Sequence, residues 1–275
     1  MTPPQADADP EVSLVVVTHE SAGVVGACLS SIRAHPGRRS QEVILVDNSS
    51  SDGTADLVAA GFPEVRLVRS RVRRGFAANC NTGADRARGR VLVFLNPDAR
   101  LSAGAVDGLV DHLGTDPRVG LAGARLVYPD GRHQPSARRF PTLGTTLIRR
   151  TPLRWLLPDT AGERRHLMAD LDPDRLADPV PVDWVLGAAM ALPAELYRRL
   201  GGMDEGFRLY CEDIDLCWRV WEAGLEVAYV PAAVIEHDLS ELTRRRFLTR
   251  ATLWHVGGMA RFARLHGLGR PLHQV

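Results

Sequence analysis

Two apolar runs in this chain end in carboxylates, and the pairing suggests chemistry. Val91-Leu92-Val93-Phe94-Leu95 runs into Asn96-Pro97-Asp98, and Val43-Ile44-Leu45-Val46 runs into Asp47-Asn48-Ser49-Ser50-Ser51-Asp52-Gly53-Thr54. Each run reads as a strand buried on both faces, with turn residues at its carboxyl end. Open α/β sheets bind ligands just beyond the carboxyl ends of their strands. A carboxylate at Asp98 suits a hard cation carrying phosphates, although an Asp after Pro is also ordinary turn chemistry. Two such strand ends in one parallel sheet make a polar site.

Three other clusters carry reactive side chains. Arg71-Val72-Arg73-Arg74-Gly75-Phe76 places Arg donors ahead of a helix N-terminus, a favourable setting for phosphate; an Arg-rich surface turn shaped by Gly75 is the plainer alternative. Glu212, Asp213 and Asp215 crowd a helix start between Tyr210, Leu216 and Trp218. The helix dipole accounts for one or two of them. A crowded, partly desolvated carboxylate has a raised proton affinity, which suits a general base. His237 in Val234-Ile235-Glu236-His237-Asp238 reads as structural unless the fold brings it to Asp98. The turn Thr18-His19-Glu20-Ser21-Ala22-Gly23 contains neither Gly-x-Gly-x-x-Gly nor Gly-Lys-Ser/Thr, so dinucleotide and P-loop phosphate binding are excluded there.

The elements that must position these residues alternate. Strands are expected at Val12 to Thr18, Val43 to Asp47, Val65 to Val68 and Val91 to Leu95, with helices at Gly23 to Ala34, Thr54 to Ala60, Phe76 to Arg88 and Ala103 to Leu113. This is the pattern of a parallel sheet with right-handed crossovers. An apolar stretch, Val119 to Val127, follows. From Gly131 to Pro181 the periodicity fades and Pro and Arg accumulate, as in a lid or partner-binding segment. Regular structure resumes at Val182 to Met190, then a helix from Pro193, the acidic helix near Glu212 and a strand at Leu225 to Val230. Leu242 to Leu265 reads as one amphipathic helix, packed on the domain with its Arg face in water or lying on an anionic membrane.

Composition sets the limits. With 275 residues, 45% hydrophobic and 24% charged, the chain can bury a large core. A net charge of +1 gives no strong pull toward nucleic acid. All 34 basic side chains are Arg. Cys28, Cys80, Cys211 and Cys217 lack metal or disulfide spacing and read as reduced thiols of a cytosolic protein. Residues 1–10 read as a polar tail, and no apolar run approaches the ~20 residues that span a bilayer. The expected location is the cytoplasm, at most peripherally at the inner face of the cell membrane.

Taken in order, Val15-Val16-Val17-Thr18, Val46 to Thr54, Gly75-Phe76-Ala77-Ala78-Asn79-Cys80-Asn81, Phe94 to Asp98, Gly187-Ala188-Ala189-Met190, Gly201 to Phe207, Glu212 to Leu216 and His237 resemble the family 2 glycosyltransferases, in their bacterial rhamnosyltransferase-like branch. The resemblance implies an α/β GT-A fold with a central, mostly parallel sheet and a C-terminal amphipathic helix. It also implies a nucleotide-sugar half at 11–130, an acceptor and catalytic half at 131–240, and the basic helix and tail at 241–275. By motif, Thr18 and Asp47 hold base and ribose, Arg74 lies near base or phosphates, and Glu20, Asn48, Gly75, Asn79 and Asn96 line the same pocket. Asp98 and His237 match metal-shell positions for Mg²⁺ or Mn²⁺, Trp184, Gly187 and Ala188 face the sugars, and Asp213 matches the catalytic base with Glu212 as the alternative. Asn96 replaces the first Asp of Asp-x-Asp, which implies weak metal binding shared with the donor diphosphate. The implied reaction is inverting transfer, with dTDP-rhamnose as donor and a polyprenyl-linked glycan as acceptor. UDP-sugars, a non-catalytic binding relative and a nucleotidyltransferase are the alternatives. No nucleic-acid partner is implied, and oligomeric state is left open.

Overall fold

Period-two alternation builds the sheet at the centre of this protein. The computed structural model describes residues 9–142, 160–238 and 250–267. In β1 (Val12–Thr18), Val15 and Val17 face one core while Leu14 and Val16 face the other. Helix α1 (Val25–Ala34) leads to β2 (Gln41–Asp47), where Ile44 and Val46 oppose Leu45 in the same way. Next come α2 (Thr54–Gly61), β3 (Arg66–Arg69), α3 (Phe76–Ala84) and β4 (Val91–Leu95). Strands buried on both faces are what a helix-covered parallel sheet requires.

The chain continues through β5 (Ala99–Leu101), α4 (Ala105–Thr115), β6 (Val119–Val127), β7 (His133–Gln134) and β8 (Ala137–Arg138). After α5 (Ala161–His166) come β9 (Val180–Pro181), β10 (Trp184–Val185), β11 (Ala189–Pro193) and α6 (Ala194–Arg199). Helix α7 (Glu212–Glu222), β12 (Glu226–His237) and α8 (Arg250–His266) complete the described chain. Ten strands form one sheet, ordered β3-β2-β1-β4-β11-β6-β12-β5, with β7 beside β6 and β9 beside β12. The pairs among β1 to β4 are parallel, as is β6 with β12, while β11 runs antiparallel between β4 and β6. Helices α1, α2 and α4 cover one face, and α3, α6, α7 and α8 cover the other.

Three departures from the sequence expectation place the site. First, the stretch expected at Val182 to Met190 divides into β10 and β11, and β11 runs on to Pro193, where a helix was expected to begin. Second, β12 does not end at Val230. A register shift between Val230 and Val234 absorbs Pro231, and the strand runs on to His237. Third, α3 stops at Ala84 and not at Arg88. The expected C-terminal helix is described from Arg250 onward, so Leu242 to Thr249, including Phe247 and Arg246, lies outside the described residues.

Candidate active site

At the ends of β1 and β2, the buried Asp47 carboxylate accepts from Thr18 Oγ1 at 3.0 Å, Ser50 Oγ at 2.5 Å and Ser50 N at 3.1 Å. Thr18 and Asp47 therefore form one polar unit. Two left-handed residues, Glu20 (φ 52°) and Ser49 (φ 60°), bend the loops around them. Glu20 Oε1 accepts from Ser51 N at 2.7 Å and holds the second loop against the first. Asn48 braces Arg74 through a reciprocal pair, Nδ2 to Arg74 O at 2.9 Å and Arg74 N to Oδ1 at 2.8 Å. The Arg74 guanidinium points to Glu205, 2.8 Å away, in an exposed pair. Asn79 is fully buried and donates to Gly75 O at 2.8 Å, so it shapes the turn from beneath.

The second unit forms where the turn after β4 leads into β5, the strand that pairs with the end of β12. His237 pairs in register with Ala99, the residue after Asp98, and this register brings the two distant motifs together. His237 Nε2 lies 3.4 Å from Asp98 Oδ1 and 3.2 Å from Asn96 Nδ2. On the other side of the ring, Nδ1 donates to Gln134 Oε1 at 2.8 Å. That bond makes Nε2 the acceptor: its lone pair takes a hydrogen from Asn96 Nδ2 and lies beside Asp98, where an imidazole so held can serve a cation. Among the described residues no group of three or more His, Cys, Asp and Glu side chains gathers to hold a metal. One partly exposed carboxylate and one oriented imidazole do fit a cation whose other ligands come from substrate phosphates.

The third unit is the start of α7. Asp213 Oδ2 accepts from Gly187 N at 3.0 Å and Oδ1 from Ile214 N at 2.9 Å. A Cβ at Gly187 would lie 3.2 Å from the Asp213 Cβ, so glycine is what lets this amide approach. Asn96 N donates to Ala188 O at 2.9 Å, which ties the Asp98 strand end to the same rim. Burial raises the Asp213 pKa, opposed by the two amides and by the charge of Arg138. The neighbouring Glu212 turns inward. It is buried, its Oε2 has no hydrogen-bond partner, and burial followed by the Asp213 charge pushes its pKa up to about 8.

The structure thus joins Asn96, Asp98, Ala188, Gly187, Asp213 and His237 into one rim beside Thr18 and Asp47. Trp184 is buried behind it, its Nε1 donating to Arg139 O at 2.9 Å and its face covered by Arg138 at 5.3 Å. Gln134 and Arg138 were missed by sequence reasoning. Both fall in the Pro- and Arg-rich stretch whose lack of periodicity hid β7 and β8.

These features define the class: a GT-A α/β fold. The chain superposes on GalNAc-T7 solved with UDP, GalNAc and Mn²⁺ (TM-score 0.63, 18% identity), covering 86% of this chain and 45% of that one. It also superposes on the mannosyltransferase PcManGT from Pyrobaculum calidifontis, in complex with GDP-Man and Mn²⁺ (TM-score 0.59, 22% identity), covering 86% and 59%. Residues 13–170, more than half of the chain, match the model of Glycosyl transferase family 2. The N-acetylglucosaminyl-diphospho-decaprenol L-rhamnosyltransferase of Mycobacterium tuberculosis is 30% identical over 75% of this chain and 69% of its own length. Rhamnosyltransferase WbbL of Escherichia coli is 38% identical over 62% and 60%. The chain belongs to glycosyltransferase family 2, in its rhamnosyltransferase-like branch, and is a glycosyltransferase.

Proposed function

We propose that this protein transfers rhamnose, with inversion, from dTDP-rhamnose to a hydroxyl of a polyprenyl-linked glycan. The relatives named for rhamnosyl transfer, one of them on a decaprenol-diphosphate acceptor, support the donor and acceptor classes. Residues 11–130 would bind the donor nucleotide through Thr18 and Asp47, residues 131–240 the acceptor, and 241–275 would add the C-terminal helix.

Asp213 is the base. The observation that carries this role is its half-buried carboxylate, oriented by two amides on the rim that also holds Asp98, while Glu212 is turned inward. Asp213 takes the proton of the acceptor hydroxyl as that oxygen bonds to the anomeric carbon. The bond from this carbon to the diphosphate oxygen breaks, and the electron pair leaves with the nucleotide. A positioned base contributes about 10²–10⁴ in rate. Asp98 and His237 would hold Mg²⁺ or Mn²⁺, whose charge offsets the negative charge gathering on the leaving diphosphate.

Asp213→Asn is expected to abolish transfer while dTDP-rhamnose still binds within about threefold of wild type, because the substitution removes one charge and no donor contact. Turnover near wild type in radiolabelled transfer assays would reject Asp213 as the base.

A further inference from the structure

The helix that carries Asp213 starts from a strained bend. Tyr210 (φ 71°) and Cys211 (φ 72°) are consecutive non-glycine residues in the left-handed region, immediately before Glu212. Such a conformation persists only where its surroundings over-determine it. Part of those surroundings is α8, which lies beyond the residues matched by the family model. Gly258 packs against the bend so closely that a Cβ there would stand 3.0 Å from Tyr210 O and 3.2 Å from Cys211 Sγ. The His255 ring meets the Tyr210 ring at 5.4 Å.

One turn into α7, Asp215 is buried and faces the same helix. His266 Nε2 donates to its Oδ1 at 2.8 Å, and Arg219 Nε donates to its Oδ2 at 2.8 Å. Through Nη1, Arg219 also donates to the carbonyls of Leu200 and Gly202, at 2.9 and 2.8 Å. Phe262 fills the space between, edge-on to Trp218 at 5.6 Å. Arg261 completes the attachment with a bidentate pair to Asp204.

We propose that α8 is a positioning element for transfer: Gly258 and His266 hold the Tyr210-Cys211 bend and Asp215, and thereby fix the direction of Asp213. This rests on Asp213 being the base. A misdirected base slows the chemical step without weakening donor binding, since no α8 residue belongs to the Thr18–Asp47 unit. His266 and Gly258 are therefore positioning residues, and neither touches substrate.

The test compares full-length His266→Ala, His266→Gln, Gly258→Ala and Asp213→Asn, with amide hydrogen exchange and steady-state transfer measured on each. The donor is dTDP-rhamnose or whichever nucleotide sugar stabilises the chain. His266→Ala and Gly258→Ala should speed exchange at least tenfold in peptides spanning residues 208–216 and leave those of β1 and β2 unchanged. Both should lower kcat at least tenfold with donor KM within twofold. His266→Gln, whose amide can donate from nearly the same place, should recover most of both losses. Asp213→Asn, which keeps only one of the two oxygens that accept amides, should lose turnover with exchange at Tyr210, Cys211 and Glu212 unchanged. Wild-type exchange at 208–216 in both α8 variants, or faster exchange with wild-type kcat, would overturn the proposal. An active Asp213→Asn would instead reject the base and leave the exchange result to judge the bend. If His266→Ala does not fold, Gly258→Ala carries the same comparison.

Discussion

Glu212 and Asp213 are neighbours with opposite environments, and the difference has a measurable consequence. Asp213 has amide partners on an accessible rim, whereas Glu212 has an unpartnered buried oxygen. Burial and the adjacent charge favour the neutral acid at Glu212, raising its pKa from 4.5 to about 8. Between those values the folded protein holds a proton that the unfolded chain has lost, so stability falls as pH rises through the window and levels off above it. Glu212→Gln removes that titration. Its melting temperature relative to wild type should therefore rise steadily from about pH 5 to about pH 8.5, and a pH-independent difference would refute the assignment. Gln134 offers a second residue-scale test. If its bond to His237 Nδ1 holds the imidazole toward a cation, Gln134→Leu should weaken the Mn²⁺ dependence of transfer by about 10–100-fold. An unchanged metal titration would place Gln134 outside the site.

At the scale of elements, legibility followed periodicity. The strands ending at Thr18, Asp47 and Leu95 could be read because doubly buried strands give unbroken apolar runs bounded by turn residues. The extension of β12 could not be read, because Pro231 marks a stop in sequence while a bulge carries the strand past it. Helix α8 was legible as amphipathic, but not which of its faces turns inward. Arg261, expected in water or on a bilayer, pairs with Asp204 instead. The outward residues are Leu253 (70% exposed), Val256 (49%), Leu265 (46%) and the exposed Arg264. On our proposal of a polyprenyl-linked acceptor, this face would be the one to meet an anionic membrane. Leu253→Glu combined with Val256→Glu should then cut sedimentation with phosphatidylglycerol vesicles severalfold and leave the fold intact. Undiminished sedimentation would remove this face from any membrane role.

At the scale of the molecule, one sheet carries both halves of the proposed reaction, so donor binding should stabilise the whole domain. A ligand at 100 times its Kd adds about 2.7 kcal/mol. In a panel of dTDP-rhamnose, UDP-sugars and GDP-mannose, we expect dTDP-rhamnose to raise the melting temperature most, and more so with Mn²⁺ or Mg²⁺. A larger shift with a UDP-sugar would reassign the donor. Among the described residues no helix is long and apolar enough to cross a membrane.

The sequence by itself determined the parallel α/β core and the identity of the strand-end carboxylates, because burial periodicity and turn chemistry are local properties. It also carried the motifs of the family. Only the tertiary structure decided that His237 reaches Asp98, that Gln134 orients it, that Asp213 and Glu212 diverge, and that α8 lies across the bend before α7. Those outcomes depend on strand register, a bulge and helix packing between residues as much as 141 positions apart. The free energy of such contacts is set by what each side chain meets across the fold, and no local pattern records it.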